Sequence, residues 1–441
     1  MKHTFSLYVL TSFKDTWNVF VTELKRVFRD PGVILLFFVA GLLYPVIYNL
    51  IYYKNMIQEV PVAVVDMCGS QESRRFIHEW DATAEVMVSY PCATLAQAQE
   101  LLRTQKVHGI LYIPADYSAK IASGLETAKV SLYADMSSFL YMKNVLLSAN
   151  MVALDEMQNI EIKRYEQMNI DDPTAWALVQ GVRYEGVSLF NPTGGYGAFL
   201  VPAVLVLILH QTLLFGILML CGTANEENKE VFLLPGKRRR YSIFRIITGR
   251  SLAYFVIYMA ISAFDLILIP RIFDLPHLGN NWDIMKMVVP FLFATIYMAM
   301  TIGAVLRERE AGMVTLLFVS VVFIFISGVS WPFESMPAIW QAVAKIIPST
   351  WGIHGYVHLN TMGANLATTI HEYNSLWILA GCWFVVCIIV YLIRSRIHEH
   401  AQVQKERIAA LRKLVKLRQE AKNNEKLQNV TKKFGNIRKK S

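Results

Sequence analysis

The sequence predicts an α-helical polytopic membrane protein with six transmembrane helices and an α/β domain inserted between the first two, outside the cytoplasm. Three observations carry this. Apolar runs close to the twenty residues a helix needs to cross the hydrocarbon core recur at about 32–53, 198–222, 251–270, 285–306, 312–332 and 374–393. The chain is 54% apolar and only 17% charged, where soluble domains carry about 25% charged residues. Between the first two runs, from 54 to about 192, the composition turns charged and mixed.

The N-terminal region 1–31 precedes the first run. Over 5–29, Phe13, Trp17, Phe20, Leu24 and Val27 recur at helical spacing with Lys14, Glu23, Lys25 and Arg26 between them. This pattern predicts an amphipathic helix lying in the membrane surface. Asp30-Pro31 ends it, because the residue before proline is pushed out of the helical region. The first span, 32–53, closes on Tyr44, Tyr48, Tyr52 and Tyr53, residues suited to the interface. In 54–192 the short β-branched runs VAVVD (62–66), EVMVS (85–89), GILYIP (109–114) and KVSLYAD (129–135) alternate with helical stretches near 70–80, 94–105 and 115–123. That alternation predicts an α/β domain on a small sheet, followed by a long helix over about 139–168. Region 193–394 holds the remaining five spans, with a loop at 223–250 and a re-entrant segment at 333–373. Lipid leaves no water for unpaired backbone groups, so helices are the expected form of each run.

Orientation follows from Lys and Arg in the short flanks. Residues 1–31 hold five, loop 223–250 seven and loop 307–311 two, against Arg271 alone in 271–284 and Lys345 alone in 333–373. Both termini are therefore expected in the cytoplasm, with the α/β domain on the far side, in the cell (inner) membrane. The net charge of +9 sits in the tail: residues 394–441 carry 15 Lys/Arg against 4 Asp/Glu. A basic segment directly behind a span, with Ile408, Leu411 and Val415 on one stripe, points to anionic lipid or cytoplasmic water and argues against nucleic acid.

The chain lacks the motifs of an enzyme. LPGKRRR (234–240) contains Gly-Lys without the rest of a phosphate-cradling loop, so no ATP site is expected, and neither are a catalytic constellation, a cofactor or a metal site. Two ionisable residues inside spans stand out. Asp265, in SAFDLILIP, either faces a cavity or partner or sits near enough to the outer surface to reach water. His210, beside Gln211, either lines a path or hydrogen-bonds a neighbouring helix. Cys68 and Cys92 follow the first and second strands on what would be one edge of a parallel sheet, in an oxidising compartment. A disulfide between them is expected; two buried free thiols are the alternative.

FNPTGGYGAFLVPAVLVLIL (190–209) and SGVSWPFESMPAIWQAVAKIIPSTWGIHGYVHLNTMGA (327–364), together with the layout, resemble the permease subunit of type-2 ABC exporters, in the subgroup with a large external domain after the first span. The resemblance runs to about residue 395. It implies a dimer of permeases, homo- or heterodimeric, seated on a separate ABC ATPase that binds the ATP, with a periplasmic adaptor and outer-membrane channel beyond it in a Gram-negative cell. It places coupling on the surface helix, with Trp17 and Arg26, and on Glu226, Glu227 and Glu230 of loop 223–250. The family's E-x-G-T-like signature after the second span is replaced here by ANEENKEVFLLPG. The rival reading is a membrane receptor or scaffold with an α/β sensing domain; five further spans exceed what anchoring needs.

Overall fold

The computed structural model describes residues 2–182, 186–192, 194–226, 239–306, 308–310, 314, 322–397, 404, 407–408 and 411. The chain forms two compact units: Met1–Ile51 with Ala198–Ser441, and Tyr52–Gly197.

Helix α1 (Lys2–Arg29) ends where proline requires it. Asp30 has extended backbone and caps the next helix, accepting hydrogen bonds from the Gly32 and Val33 amides at 3.0 and 3.3 Å. Proline at the first helical position loses no hydrogen bond, since that amide has no partner inside a helix. Helix α2 (Pro31–Ile51) carries a π-helical stretch, Leu35–Ala40, and an internal Pro45. Its buried face repeats every four residues as Phe37, Gly41, Pro45 and Asn49.

The second unit is a four-stranded sheet of β1 (Val60–Asp66), β2 (Val86–Pro91), β3 (Gly109–Ile113) and β4 (Ser131–Ala134), in spatial order β2-β1-β3-β4. β1 runs parallel to β2 and β3, and β4 is antiparallel to β3. Helices α3 (Gln71–Asp81) and α4 (Leu95–Arg103) make the crossovers between parallel strands, α5 (Tyr117–Ser123) lies between β3 and the antiparallel β4, and α6 (Phe139–Gln167) and α7 (Asp172–Val179) follow. Alternation along β1 divides the core. Val60, Val62 and Val64 pack with Phe76 and Trp80 of α3 and with Val145, Ala149 and Val152 of α6. Ala63 and Val65 pack with Ala98 of α4. Trp80 donates to the Ser148 hydroxyl at 3.0 Å, and Arg75 grips the buried Glu156 carboxylate through both Nε and Nη2. A fully buried indole is worth roughly 1.5–3 kcal/mol in transfer alone, so α3 and α6 are held by area as well as by charge.

The expected Cys68–Cys92 disulfide does not form: both are free thiols. Their strands are adjacent and parallel as the pairing requires, but the side chains lie on opposite faces, Cys68 beside the Trp80 cluster and Cys92 in the Ala63–Val65 cluster. A bulge is responsible. β1 pairs Val62 with Val88 but Ala63 with Tyr90, skipping Ser89. One extra residue reverses the side on which every later residue of β2 falls.

The first unit continues with α8 (Tyr196–Glu226) and α9 (Arg239–Ala263), which extends through the π-helical Phe264–Leu268 to Ile269–Ile272. α10 (Asn281–Val305), α11 (Ala338–Ile346), α12 (Pro348–Asn360) and α13 (Ile370–Ile397) complete it. Five helices among the described residues are long and apolar enough to cross a membrane: α2, α8, the 243–272 part of α9, α10 and α13. Residues 312–313 and 315–321 of the expected 312–332 span, residues 227–238, and nearly all of the tail from 398 lie outside the described residues. α2 and α8 cross in contact, since a Cβ at Gly216 would fall on the Phe37 ring. Segment 333–373 is built around the amphipathic α11 and the largely buried α12. Asn360 at the end of α12 bonds the Pro276 carbonyl at 3.0 Å and the His277 ring, tying the turn before α10 to α12.

Two free thiols follow for the α/β unit. Burial pushes the Cys92 thiol up, which lowers its thiolate fraction. Maleimide should therefore label Cys68 faster than Cys92 in the folded full-length protein, and mass mapping of unreduced peptides should find both free. A peptide pair linked through 68 and 92 would contradict the opposite-face arrangement.

Candidate functional site

Helix α1 lies on α9 through two ion pairs. Asp15 meets Arg245 at 2.6 Å, and Glu23 meets Arg250 Nε at 2.9 Å. The second pair is sealed, with Glu23 and Arg250 each 2% exposed. Nη1 of Arg250 donates to the Tyr391 hydroxyl at 2.9 Å, and Nη2 reaches the Tyr254 hydroxyl at 3.2 Å and Cys221 Sγ at 3.4 Å. The Tyr254 hydroxyl donates in turn to Glu23, and Arg26 adds a contact to it at 3.4 Å. One guanidinium thus joins α1, α8, α9 and α13. Burial alone would raise the Glu23 carboxyl; Arg250 and the Tyr254 hydroxyl reverse this and hold it below the usual value.

A second junction forms where α1 passes into α2. The Arg309 guanidinium takes both oxygens of Asp30, at 3.0 and 3.1 Å, and also donates to Thr223 Oγ1 at 3.2 Å. This two-point fork fixes angle as well as distance. Glu226, the last residue of α8, accepts from the Arg309 backbone amide, and Asn225 bonds the Leu306 carbonyl at 2.7 Å. A side chain at Gly222 would strike the Arg309 backbone, so glycine permits the approach.

These junctions revise the sequence reading of α1. Glu23, taken above with the polar face, is buried, while Phe13 and Trp17 of the apolar stripe are 70% and 54% exposed. Trp17 stacks on Phe20 and bonds neither junction among the described contacts; Arg26 touches one through Glu23. Glu226 is placed at the second junction, whereas Glu227 and Glu230 lie outside the described residues. Asp15, Glu23, Arg250, Arg309 and Asp30 were missed as a set. The available signal was an acid inside an apolar stripe (Phe20, Glu23, Val27) and an arginine at the start of a span.

Within the spans, Asp265 and His210 are both 0% exposed and do not meet each other in any described contact. Asp265 sits in the π-helical stretch of α9, and neither carboxyl oxygen has a hydrogen-bond partner among the described residues. His210 lies between the Phe291 and Phe323 rings, at centroid distances of 6.4 and 5.5 Å, with both ring nitrogens likewise unbonded. No group of His, Cys, Asp or Glu among the described residues could hold a metal ion.

The sealed pair makes a directional prediction. Arg250→Met alone strands Glu23 in the interior and should destabilise the protein by about 3–5 kcal/mol, the usual cost of breaking a buried pair. The double variant Glu23→Leu with Arg250→Met removes both charges and should recover most of that loss in thermal unfolding. A double variant as unstable as the sum of its single changes would mean that the two residues do not act as a pair.

Residues 31–391, most of the chain, match the family of ABC-2 family transporter proteins. The linearmycin resistance permease protein LnrN of Bacillus subtilis is 21% identical over 365 residues, covering 78% of this chain and 90% of its own length. The probable multidrug ABC transporter permease YbhS of Escherichia coli is 24% identical over 351 residues, covering 78% and 87% respectively. The match takes in α2, α8, α9 and α10, and α13 as far as Tyr391, with Arg250 and Arg309 inside it, and the chain belongs to the ABC-2 transporter family as a multi-pass membrane permease.

Proposed function

We propose that the chain is the permease subunit of an ATP-driven exporter of the subgroup with a large external domain. Two permeases form the membrane path, and a separate ABC ATPase hydrolyses ATP. The observation that carries the coupling part is the anchoring of α1. A helix tied to α9 by a sealed ion pair, and at its end to Arg309 by a two-point fork, would carry those parts of the bundle with it when it shifts. Helix α1 and the segment 227–238 are the parts that would seat on the ATPase. Trp17 and Phe13, which face away from the bundle, together with Glu226, Glu227 and Glu230, form the contact.

In this reading both termini lie in the cytoplasm, the α/β unit stands outside the inner membrane, and substrate leaves the cytoplasm or inner leaflet. An adaptor and outer-membrane channel would receive it in a Gram-negative cell, and the basic tail would rest on anionic lipid.

The test is ATP-dependent efflux from inverted vesicles carrying the permease with its ATPase. The permease alone should turn over no ATP. Asp30→Ala removes the fork and should lower transport about tenfold while ATP hydrolysis by the complex persists, as expected for loss of a coupling energy of about 1–3 kcal/mol. Replacing Glu226, Glu227 and Glu230 together by alanine should abolish efflux and leave the protein inserted. Full transport by both variants would remove α1 and the loop from the coupling route.

A further inference from the structure

Helix α9 carries a continuous polar face through the span. Arg250, Tyr254, Tyr258, Ser262 and Asp265 follow one another at helical spacing and are all buried. The helical rise puts Asp265 roughly 22 Å from Arg250, most of a hydrocarbon core of about 30 Å. The two ends differ. Arg250 and Tyr254 are bonded on all sides, as described above. The Ser262 hydroxyl and both oxygens of Asp265 have no hydrogen-bond partner among the described residues.

The opposing surface is α2. Phe37 meets the Tyr258 ring edge-on at 4.8 Å and the Tyr254 ring at 6.4 Å, and a Cβ on Gly41 would lie 3.7 Å from Ile261. Both helices are π-helical beside this interface, α2 at Leu35–Ala40 and α9 at Phe264–Leu268. π-helical turns inside α-helices concentrate at functional sites. Directly after Asp265, Leu266 lines an apolar cavity of about 10 Å³ with Val206, Met287, Phe291 and Tyr356. The Tyr356 hydroxyl donates to the Leu266 carbonyl at 2.9 Å, so the backbone here is satisfied while the neighbouring carboxyl is not.

An ionisable group inside a span is costly and is by default matched by a partner. A carboxylate only accepts hydrogen bonds, and the hydroxyls of Ser262 and Tyr258 accept as well as donate. The complement is a donor-rich cation. The surroundings beyond the carboxyl are apolar, so the cation would have to be joined to an apolar body. We infer that Asp265, with Ser262 one turn before it, binds the ammonium group of an amphiphilic amine within the span. This rests on the export reading for its purpose, since it names the class of substrate that α9 would admit.

The test is direct binding, with neither ATP nor ATPase present. Full-length permease in phosphatidylcholine nanodiscs is titrated with a twelve-carbon diamine dansylated at one end, and with the same compound N-acetylated at the other end so that it carries no charge. A charge-assisted hydrogen bond in a dry site predicts at least about tenfold tighter binding of the amine. Asp265→Asn should cut that preference to about twofold or less while affinity for the acetylated compound holds, and Asp265→Glu should keep a preference. If Asp265→Asn does not fold, Ser262→Ala should lower the amine preference about threefold. Equal affinity of the wild type for both compounds, or an unchanged preference in Asp265→Asn or Ser262→Ala, overturns the inference. ATP-driven efflux that persists while amine preference is absent would leave the export reading standing. Amine preference without any ATP-driven efflux would remove the export reading alone.

Discussion

Arg250 places a permanent positive charge where α9 is already shut off from water, and much of the first unit answers to that fact. A guanidinium cannot be neutralised by losing its proton, so every N–H must find an acceptor in the interior. Glu23 supplies the opposite charge and Tyr391 and Tyr254 supply oxygens, so helices far apart in sequence must meet at one point. Helix α1 is turned accordingly. Its acid faces inward, and aromatic residues that would otherwise have covered the bundle face outward. The ion pair need not add net stability over a well-packed apolar alternative. What it adds is register, since Glu23 and Arg250 meet in only one placement of α1.

Asp30 extends the same logic to the turn. The Asp30 carboxylate both caps α2 and receives the Arg309 fork. Through Arg309 and Glu226 it also reaches the last turn of α8. The two junctions restrain α1 at separate points, where one alone would leave it free to pivot.

The parts legible in the sequence were those governed by periodicity. Twenty apolar residues in lipid have one stable form, so the positions of α2, α8, α9, α10 and α13 could be read directly. The strand and helix alternation of 54–192 likewise matches β1 through α6. What could not be read depended on which way a side chain points. The Ser89 bulge moves Cys92 to the other face of the sheet without any change in composition or spacing that would signal it. Glu23 looked like one charge among several on α1, because its partner lies 227 residues away. Asp265 and His210 were conspicuous from the start, since charge inside an apolar run is visible in one dimension. Sequence therefore flagged the unpartnered groups inside the spans and missed the Glu23–Arg250 and Asp30–Arg309 pairs, whose meaning exists only in the pairing.

That contrast orders the polar face of α9. Near Arg250 the face is closed by its own protein, and moving the helices apart would expose a buried charge. Around Asp265 no described contact opposes separation in that way. Phe37 of α2 meets the Tyr258 ring in the middle of the face, and both helices carry π-helical turns beside it. The two ends meet near Tyr258, where the last ring contact from Phe37 gives way to a hydroxyl and a carboxyl without partners among the described residues.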